Sequence, residues 1–312
     1  MSYATIDQRL SDGSIVLLDG GTGTELEKRG AKMHPRAWCG PATLDNVEIL
    51  ESVHRDYIAA GADVITANTY ASSRLMLAPA GFGDRFEQIN RTAVAAAQRA
   101  VAASGRQDVL VAGSLSPMCP ITPDSDRPDP DQEPPVEVMR DAFHELAHLL
   151  RDAGCDLLLL EMMYYPHRLA LLLEAARATG LPVWAGFAVR RDGQGEIVGF
   201  APEQSIPFSD ILAAVDWTGV QAAGIMHSPA DLTGDAIALL RQRYGGALLA
   251  YPDSGYFRMP HWQFEDIIAP EALVEFAQGW VADGVKILGG CCGLSPAHIA
   301  ALHRAFRDAR PR

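Results

Sequence analysis

The chain has 312 residues, 48% of them apolar, enough for one large domain or two ordinary ones with a well-buried core. Lys and Arg number 26 against 39 Asp and Glu, a net charge of −13, which argues against a nucleic-acid backbone as partner and mildly favours a cationic small molecule, although acidic surfaces also serve solubility. The N-terminus lacks the charged, apolar and small-residue succession of a signal peptide, no apolar run reaches the roughly 18 residues of a spanning helix, and the 5 cysteines are odd in number with two adjacent. The expectation is a cytoplasmic protein with no membrane partner, whose clustered cysteines serve a metal or chemistry rather than disulfides.

In chain order, the first strand-like run is Ser14–Leu18, ending at Asp19-Gly20-Gly21, followed by a helical segment at Val47–Ala60. The second run, Val64–Ala67, precedes Asn68-Thr69-Tyr70, and an Ala-rich helix spans Phe86–Ala103. The third run is Val109–Ala112; helix Val136–Ala153 follows, with Val136, Met139, Phe143, Leu146 and Leu150 at helical spacing. Asp156–Leu160 is the fourth run, helix His167–Thr179 follows, and Val183–Phe187 is the fifth. A helix near Phe208–Val215 leads to Val220–Ile225, helix Ala230–Tyr244 to Ala247–Ala250, and helix Pro270–Asp283 to Val285–Leu288, with a last helix after Pro296.

Eight strand-then-helix units with short strands nearly continuous in apolar residues predict an α/β fold: a single-domain (β/α)8 TIM barrel over residues 1–312, its parallel sheet covered on both faces. The Pro- and Asp-rich segment Ser116–Pro135 is too long for an ordinary barrel loop, and reads either as a solvated surface loop or as a lid over the barrel mouth.

Active sites of such barrels lie at the carboxyl ends of the strands. There the sequence carries Asp19, Gly20 and Gly21 after strand one, Asn68 and Tyr70 after strand two, Glu161 after strand four, His227 after strand six, and Gly289-Gly290-Cys291-Cys292-Gly293 after strand eight. The last motif is the sharpest. Two adjacent thiolates reach one metal only where the backbone bends, and flanking glycines permit that bend. Core burial of small apolar side chains is the ordinary fate of free cysteine, but it does not call for a Cys pair bracketed by three glycines. Thiolates suit Zn2+.

Several motifs together resemble the homocysteine S-methyltransferases: the betaine– and S-methylmethionine–homocysteine enzymes and the homocysteine module of cobalamin-dependent methionine synthase. They are Asp19-Gly20-Gly21-Thr22-Gly23-Thr24-Glu25-Leu26, Ala60-Gly61-Ala62-Asp63 with Thr66-Ala67-Asn68-Thr69-Tyr70, Gly113-Ser114-Leu115-Ser116-Pro117, Leu160-Glu161, Tyr251-Pro252-Asp253-Ser254-Gly255, and Gly289 through Pro296. The resemblance implies methyl transfer from an onium donor (S-methylmethionine, another sulfonium or a betaine) to the thiol of homocysteine, giving methionine. It also implies zinc held by three cysteines, two of which match Cys291 and Cys292. The third normally follows strand six in a Gly-x-Asn-Cys pattern, where this chain reads Gly224-Ile225-Met226-His227. Histidine is itself a zinc ligand, so the implied set becomes His227, Cys291 and Cys292; the other reading is a hydrogen-bonded histidine in a degraded site.

By the same resemblance Glu161 receives the acceptor's ammonium group, Asp19 with Gly20 and Gly21 forms the floor of the site or caps the barrel, and Asn68 lies with them. Trp38 and Tyr70 match aromatic positions around the donor cation, through the attraction of aromatic faces for onium groups, or else pack in the core. Met162 stands where the betaine enzyme carries another aromatic, and Asp253 where an Asn is familiar.

Two other motifs are set aside. His144-Glu145-Leu146-Ala147-His148 fits a metalloprotease signature but falls on an outer helix with no third ligand marked, and Gly21-x-Gly23 lacks the third glycine of a dinucleotide loop. Two rival functions stay open: a methyltransferase or demethylase acting on a different nucleophile, and a metal-free binding protein, the latter motivated by Met226 and His227. The sequence is silent on oligomeric state.

Overall fold

The computed structural model describes residues 3–119, 133–258 and 261–308. Eight strands form one parallel sheet: β1 (Val16–Leu17), β2 (Val64–Ala67), β3 (Leu110–Leu115), β4 (Leu157–Met163), β5 (Val183–Phe187), β8 (Val220–Pro229), β9 (Ala247–Asp253) and β12 (Val285–Leu288). Two antiparallel hairpins interrupt the rhythm, β6 (Val189–Arg191) with β7 (Ile197–Gly199) and β10 (Tyr256–Arg258) with β11 (His261–Glu265). The sheet runs β1-β12-β9-β8-β5-β4-β3-β2, and a parallel bridge between Leu18 and Val64 joins its two ends. Asp63 N donates to Leu17 O at 2.7 Å and Asp19 N to Val64 O at 3.1 Å across that seam. The result is a (β/α)8 barrel, as the eight apolar runs predicted.

The strands are mostly apolar because both faces are covered. Val16, Leu18, Val64, Leu110, Leu157, Leu159, Trp184, Leu249 and Ile287 fill the interior, while Leu17, Ile65, Val111, Leu158, Leu160, Ile225 and Leu288 face the helices. The N-terminal helix Ala4–Ser11 packs Tyr3, Ile6 and Leu10 against the interior cluster, and Trp184 Nε1 donates to the Tyr3 hydroxyl at 2.9 Å. That helix closes one end of the barrel.

The Pro- and Asp-rich segment 116–135, read as either a surface loop or a lid, falls largely on residues 120–132, outside the described residues. No helix among the described residues is long and apolar enough to cross a membrane. The HExxH segment lies on the helix Val136–Asp152, where Glu145 pairs with Arg74 at 2.6 Å and the rings of His144 and His148 stack on one another.

One core residue works against stability. His54, on the helix Val47–Ala59, is fully buried, and neither ring nitrogen has a hydrogen-bond partner. Burial alone pulls its pKa down to about 3. The unfolded chain therefore takes up a proton near its ordinary pKa of about 6.5 while the folded chain does not, so stability is lost as pH falls through that window. His54→Leu is expected to raise unfolding free energy by about 1–3 kcal/mol at pH 7.5. The gain widens by about 1.4 kcal/mol for each pH unit below 6.5. Urea titrations at pH 7.5 and 5.5 measure it, and a variant no more stable than the parent at either pH contradicts the reading.

Candidate metal and substrate site

The first and last glycine motifs interlock at the barrel mouth. Gly21 N donates to Leu294 O at 3.2 Å, Gly290 N to Asp19 O at 3.0 Å, and the Tyr57 hydroxyl to Leu294 O at 3.1 Å. A Cβ on Gly20 would lie 2.3 Å from Leu294 O, and one on Gly21 2.8 Å from Cys291 O, so only glycine lets these loops touch. On the other side Cys291 N donates to Pro252 O at 2.7 Å and Ser254 N to Cys292 O at 3.1 Å. The Cys291-Cys292 turn is thus held from both flanks, its thiols 3.9 Å apart.

His227 reaches the same point by a different device. The register between β8 and β9 shifts between Met226 and Pro229, and His227 takes φ of +41° there. Such a bulge re-aims a side chain at the cost of local strain. Cys291 Sγ lies 3.7 Å from His227 Nδ1, and the donor atoms of His227, Cys291 and Cys292 all fall within 4.8 Å of one another. Among the described residues this is the one such group of metal-ligating side chains. Donors bound about 2.0–2.3 Å from one tetrahedral zinc sit about 3.3–3.8 Å apart; the two separations that involve Cys291, 3.7 and 3.9 Å, come close to that spacing, and the soft, nitrogen-plus-thiolate chemistry fits that ion. Side by side the thiols oppose each other's ionisation: the Cys292 hydrogen bond and burial push Cys291 well up, a shift that a bound cation reverses.

Strain recurs around the site. Trp38, Met162 and His227 all have positive φ. Met162 lies where the β4–β5 register shifts between Leu160 and Met163, and its N–H points to the Met226 sulfur at 2.9 Å. Met226, at the position of the expected Asn, thereby ties the β4 and β8 bulges together.

Asp19, Gly20, Gly21, Trp38, Asn68, Tyr70, Glu161, His227, Cys291 and Cys292 line one cavity. Within it their tasks differ. Both Asp19 oxygens are engaged by Thr66, the backbone N–H at 2.7 Å and Oγ1 at 2.9 Å, so this carboxylate ties the ends of β1 and β2 together. The Asn68 side-chain nitrogen donates to Cys39 O at 2.9 Å and Thr43 Oγ1 at 3.0 Å, which anchors the segment that carries Trp38. Trp38 and Tyr70 meet edge to face, 5.8 Å between ring centroids. Glu161 stands on β4 itself, one oxygen accepting the Ser114 hydroxyl. Burial pushes Glu161 up to about 7, with His227 opposing, and burial does the same to Asp19.

Sequence reading passed over part of this wall. Tyr164, Phe200 and Phe264 also line the cavity. Phe200 follows the β6–β7 hairpin and meets the His227 ring at 5.1 Å. The Asp192-Gly193 and Gly195 turn residues between two short apolar runs could have signalled that hairpin. Asp253, at the end of β9, brings Oδ2 to 3.6 Å from His227 Nδ1.

With this geometry in hand, comparison with known proteins is direct. The sequence model described as homocysteine S-methyltransferase matches residues 16–306. The chain belongs to the homocysteine S-methyltransferase family. It is 30% identical to the homocysteine S-methyltransferase of Escherichia coli (strain K12), over 94% of this chain and 96% of that protein. It is 25% identical to the selenocysteine Se-methyltransferase of Brassica oleracea var. italica, over 96% of this chain and 90% of that one. Among solved structures, the metallated form of the E. coli homocysteine methyltransferase MmuM superposes with a TM-score of 0.72 at 25% identity, covering 96% of this chain and 97% of that one. As a member of this family, the chain is a methyltransferase.

Proposed function

We propose that the protein moves a methyl group from an onium donor to the thiol of homocysteine or the chalcogen of a close analogue, with zinc held by His227, Cys291 and Cys292. The reading rests above all on one observation: those three donor atoms converge at the mouth of a cavity that also presents a buried carboxylate and an aromatic wall. Zinc, when bound, supplies a Lewis acid that makes a thiol ionise near neutral pH.

The chain's own residues do the rest. Glu161 fixes the acceptor's ammonium group, which aims its sulfur toward the cysteine turn. Trp38 and Tyr70, which line the cavity and meet edge to face, hold the donor's positive charge, which disappears as the methyl group leaves. The buried wall excludes water and keeps the two substrates in line, so that orientation rather than a general base lowers the barrier. In the transfer, the acceptor sulfur forms the new bond to carbon, the donor's bond to that carbon breaks, and its electron pair stays on the departing sulfur or nitrogen.

A panel of thiol and selenol acceptors against S-methylmethionine, a second sulfonium and glycine betaine, read by mass spectrometry, tests the proposal. Methylation of homocysteine by one onium donor supports it; failure of every thiol and selenol with every donor defeats it. Among the relatives, the selenocysteine methyltransferases make selenocysteine the acceptor to include.

Glu161→Gln carries a quantitative expectation. Losing a buried charge-assisted contact to an ammonium costs about 3 kcal/mol, or about 100-fold in kcat/KM for the acceptor. In the parent, Glu161 is protonated below about 7 before substrate arrives, so kcat/KM should fall as pH drops below neutrality. The variant's profile should lack that limb. A variant with unchanged acceptor KM and an unchanged profile would remove Glu161 from the reading.

A further inference from the structure

We infer that Asp253 is a positioning residue of the metal centre, one that supplies the negative charge a histidine ligand does not bring; the inference rests on the proposed His227, Cys291 and Cys292 set. Two thiolates and a neutral imidazole around a divalent cation sum to zero charge. Such a centre takes up the cation less avidly than one with a third anion nearby. Asp253 meets that need from the adjacent strand. Its Oδ2 lies 3.6 Å from His227 Nδ1, the same ring atom that lies 3.7 Å from Cys291 Sγ. The carboxylate therefore faces the imidazole on the side where the cysteine turn stands. It is largely buried, 16% exposed, so its field is only weakly screened by solvent.

The backbone explains why these two groups meet. Pro229 pairs with Asp253 and Met226 with Tyr251, and the bulge lies between those pairs. The distortion that turns His227 inward is thus the one that sets it opposite the end of β9. Asp253 lies outside the tight His-Cys-Cys triangle and acts on His227 and on the cation through its charge. An opposite charge a few ångströms from a bound cation and little screened by solvent shifts metal affinity by about 10–100-fold.

The test uses the full chain, stripped of metal and then titrated with Zn2+ against a chromophoric chelator, and separately with Co2+ to read the ligand-field and thiolate charge-transfer bands. Asp253→Asn, which removes the charge, should weaken zinc binding about 10–100-fold and shift the Co2+ bands. In a His227→Cys background, where the ligand carries its own charge, Asp253→Asn should change zinc affinity by less than about threefold. The double variant should bind within about tenfold of the parent. A purely structural role for Asp253 would instead give the same loss in both backgrounds. Thermal midpoints of the metal-free forms check that each variant folds. Unchanged zinc affinity in Asp253→Asn, or equal losses in both backgrounds, overturns the inference while leaving the His-Cys-Cys centre standing. A parent protein that takes up no Zn2+ overturns both.

Discussion

Replacing Cys292 with serine should reduce bound zinc from about one per chain to a small fraction and lower methyl transfer by about 10³-fold or more. A serine hydroxyl keeps nearly the same size but does not ionise near neutral pH, so the centre loses an anionic, polarisable donor. The structure gives it no substitute. Among the described residues no other group of three metal-ligating side chains exists, and Cys39, a further buried thiol lining the cavity, has its ionisation pushed well up by burial. A metal acting on a reacting thiol contributes several kcal/mol to the barrier, and about 4 kcal/mol corresponds to about 10³-fold. Metal analysis of the purified protein, with rates before and after chelation and after zinc is returned, measures both halves. The chelated parent should recover with zinc; the variant should not. A variant that keeps a full equivalent of zinc and the parental rate would show that the cysteine pair is not the metal site.

The second large effect concerns stability and lies at the opposite end of the strands. Asp63 opens β2 with a side chain fully out of solvent. Its Oδ2 accepts Arg9 at 2.8 Å and the Leu17 N–H at 2.9 Å, and its Oδ1 accepts Arg106 at 3.1 Å and Arg307 at 2.6 Å. One carboxylate thus joins the N-terminal helix, the seam between β1 and β2, the approach to β3 and the C-terminal segment. Burial works to raise its pKa, but the hydrogen bond and charge of Arg9, the Leu17 N–H and Arg307 outweigh it and hold the group low.

Asp63→Ala orphans the Leu17 N–H and leaves three guanidinium groups together without their shared counter-charge. Breaking a buried pair costs about 3–5 kcal/mol. The arginines are 19–29% exposed and can turn partly to water, which puts the expectation at about 3 kcal/mol. The sign with pH follows from the lowered pKa. This stabilisation is present above the ordinary carboxylate range and fades as pH falls through the folded value, so parent and variant should converge in acid. Urea unfolding at pH 7 checks the magnitude, and the same measurement taken from pH 4 down to about pH 2 checks the convergence. A loss under about 1 kcal/mol at pH 7 would mean the cluster holds the seam only weakly.

Much of the barrel was legible beforehand for a plain reason. A parallel strand covered on both faces is apolar at most positions, so Val64–Ala67 and Val285–Leu288, each with one polar residue, announce themselves without tertiary information. The glycine and cysteine motifs were equally plain, since loop contact at Gly20 and Gly21 leaves no room for a side chain. Strand ends were less so. β4 and β8 run on through Glu161 and His227, because bulges let polar, inward-aimed residues continue a strand that hydropathy alone would end. The two hairpins escaped the reading of strict strand-helix alternation, and with them Phe200 and Phe264. Asp19 and Asn68 both line the cavity, yet neither carboxylate nor amide can be assigned a partner from sequence, and Thr66, Cys39 and Thr43 claim them.

What the sequence determined by itself was the eight parallel strands of the barrel and the residue types gathered at their carboxyl ends. Local hydropathy, glycine geometry and ligand softness are properties of single residues and short windows, and they survive without the fold. Which groups are spent on scaffolding, which face the cavity, and that Asp253 meets His227 across a bulge were decided only in three dimensions. Hydrogen bonds and charge pairs act over a few ångströms, and only closure of the barrel brings residues so far apart in the chain within that reach.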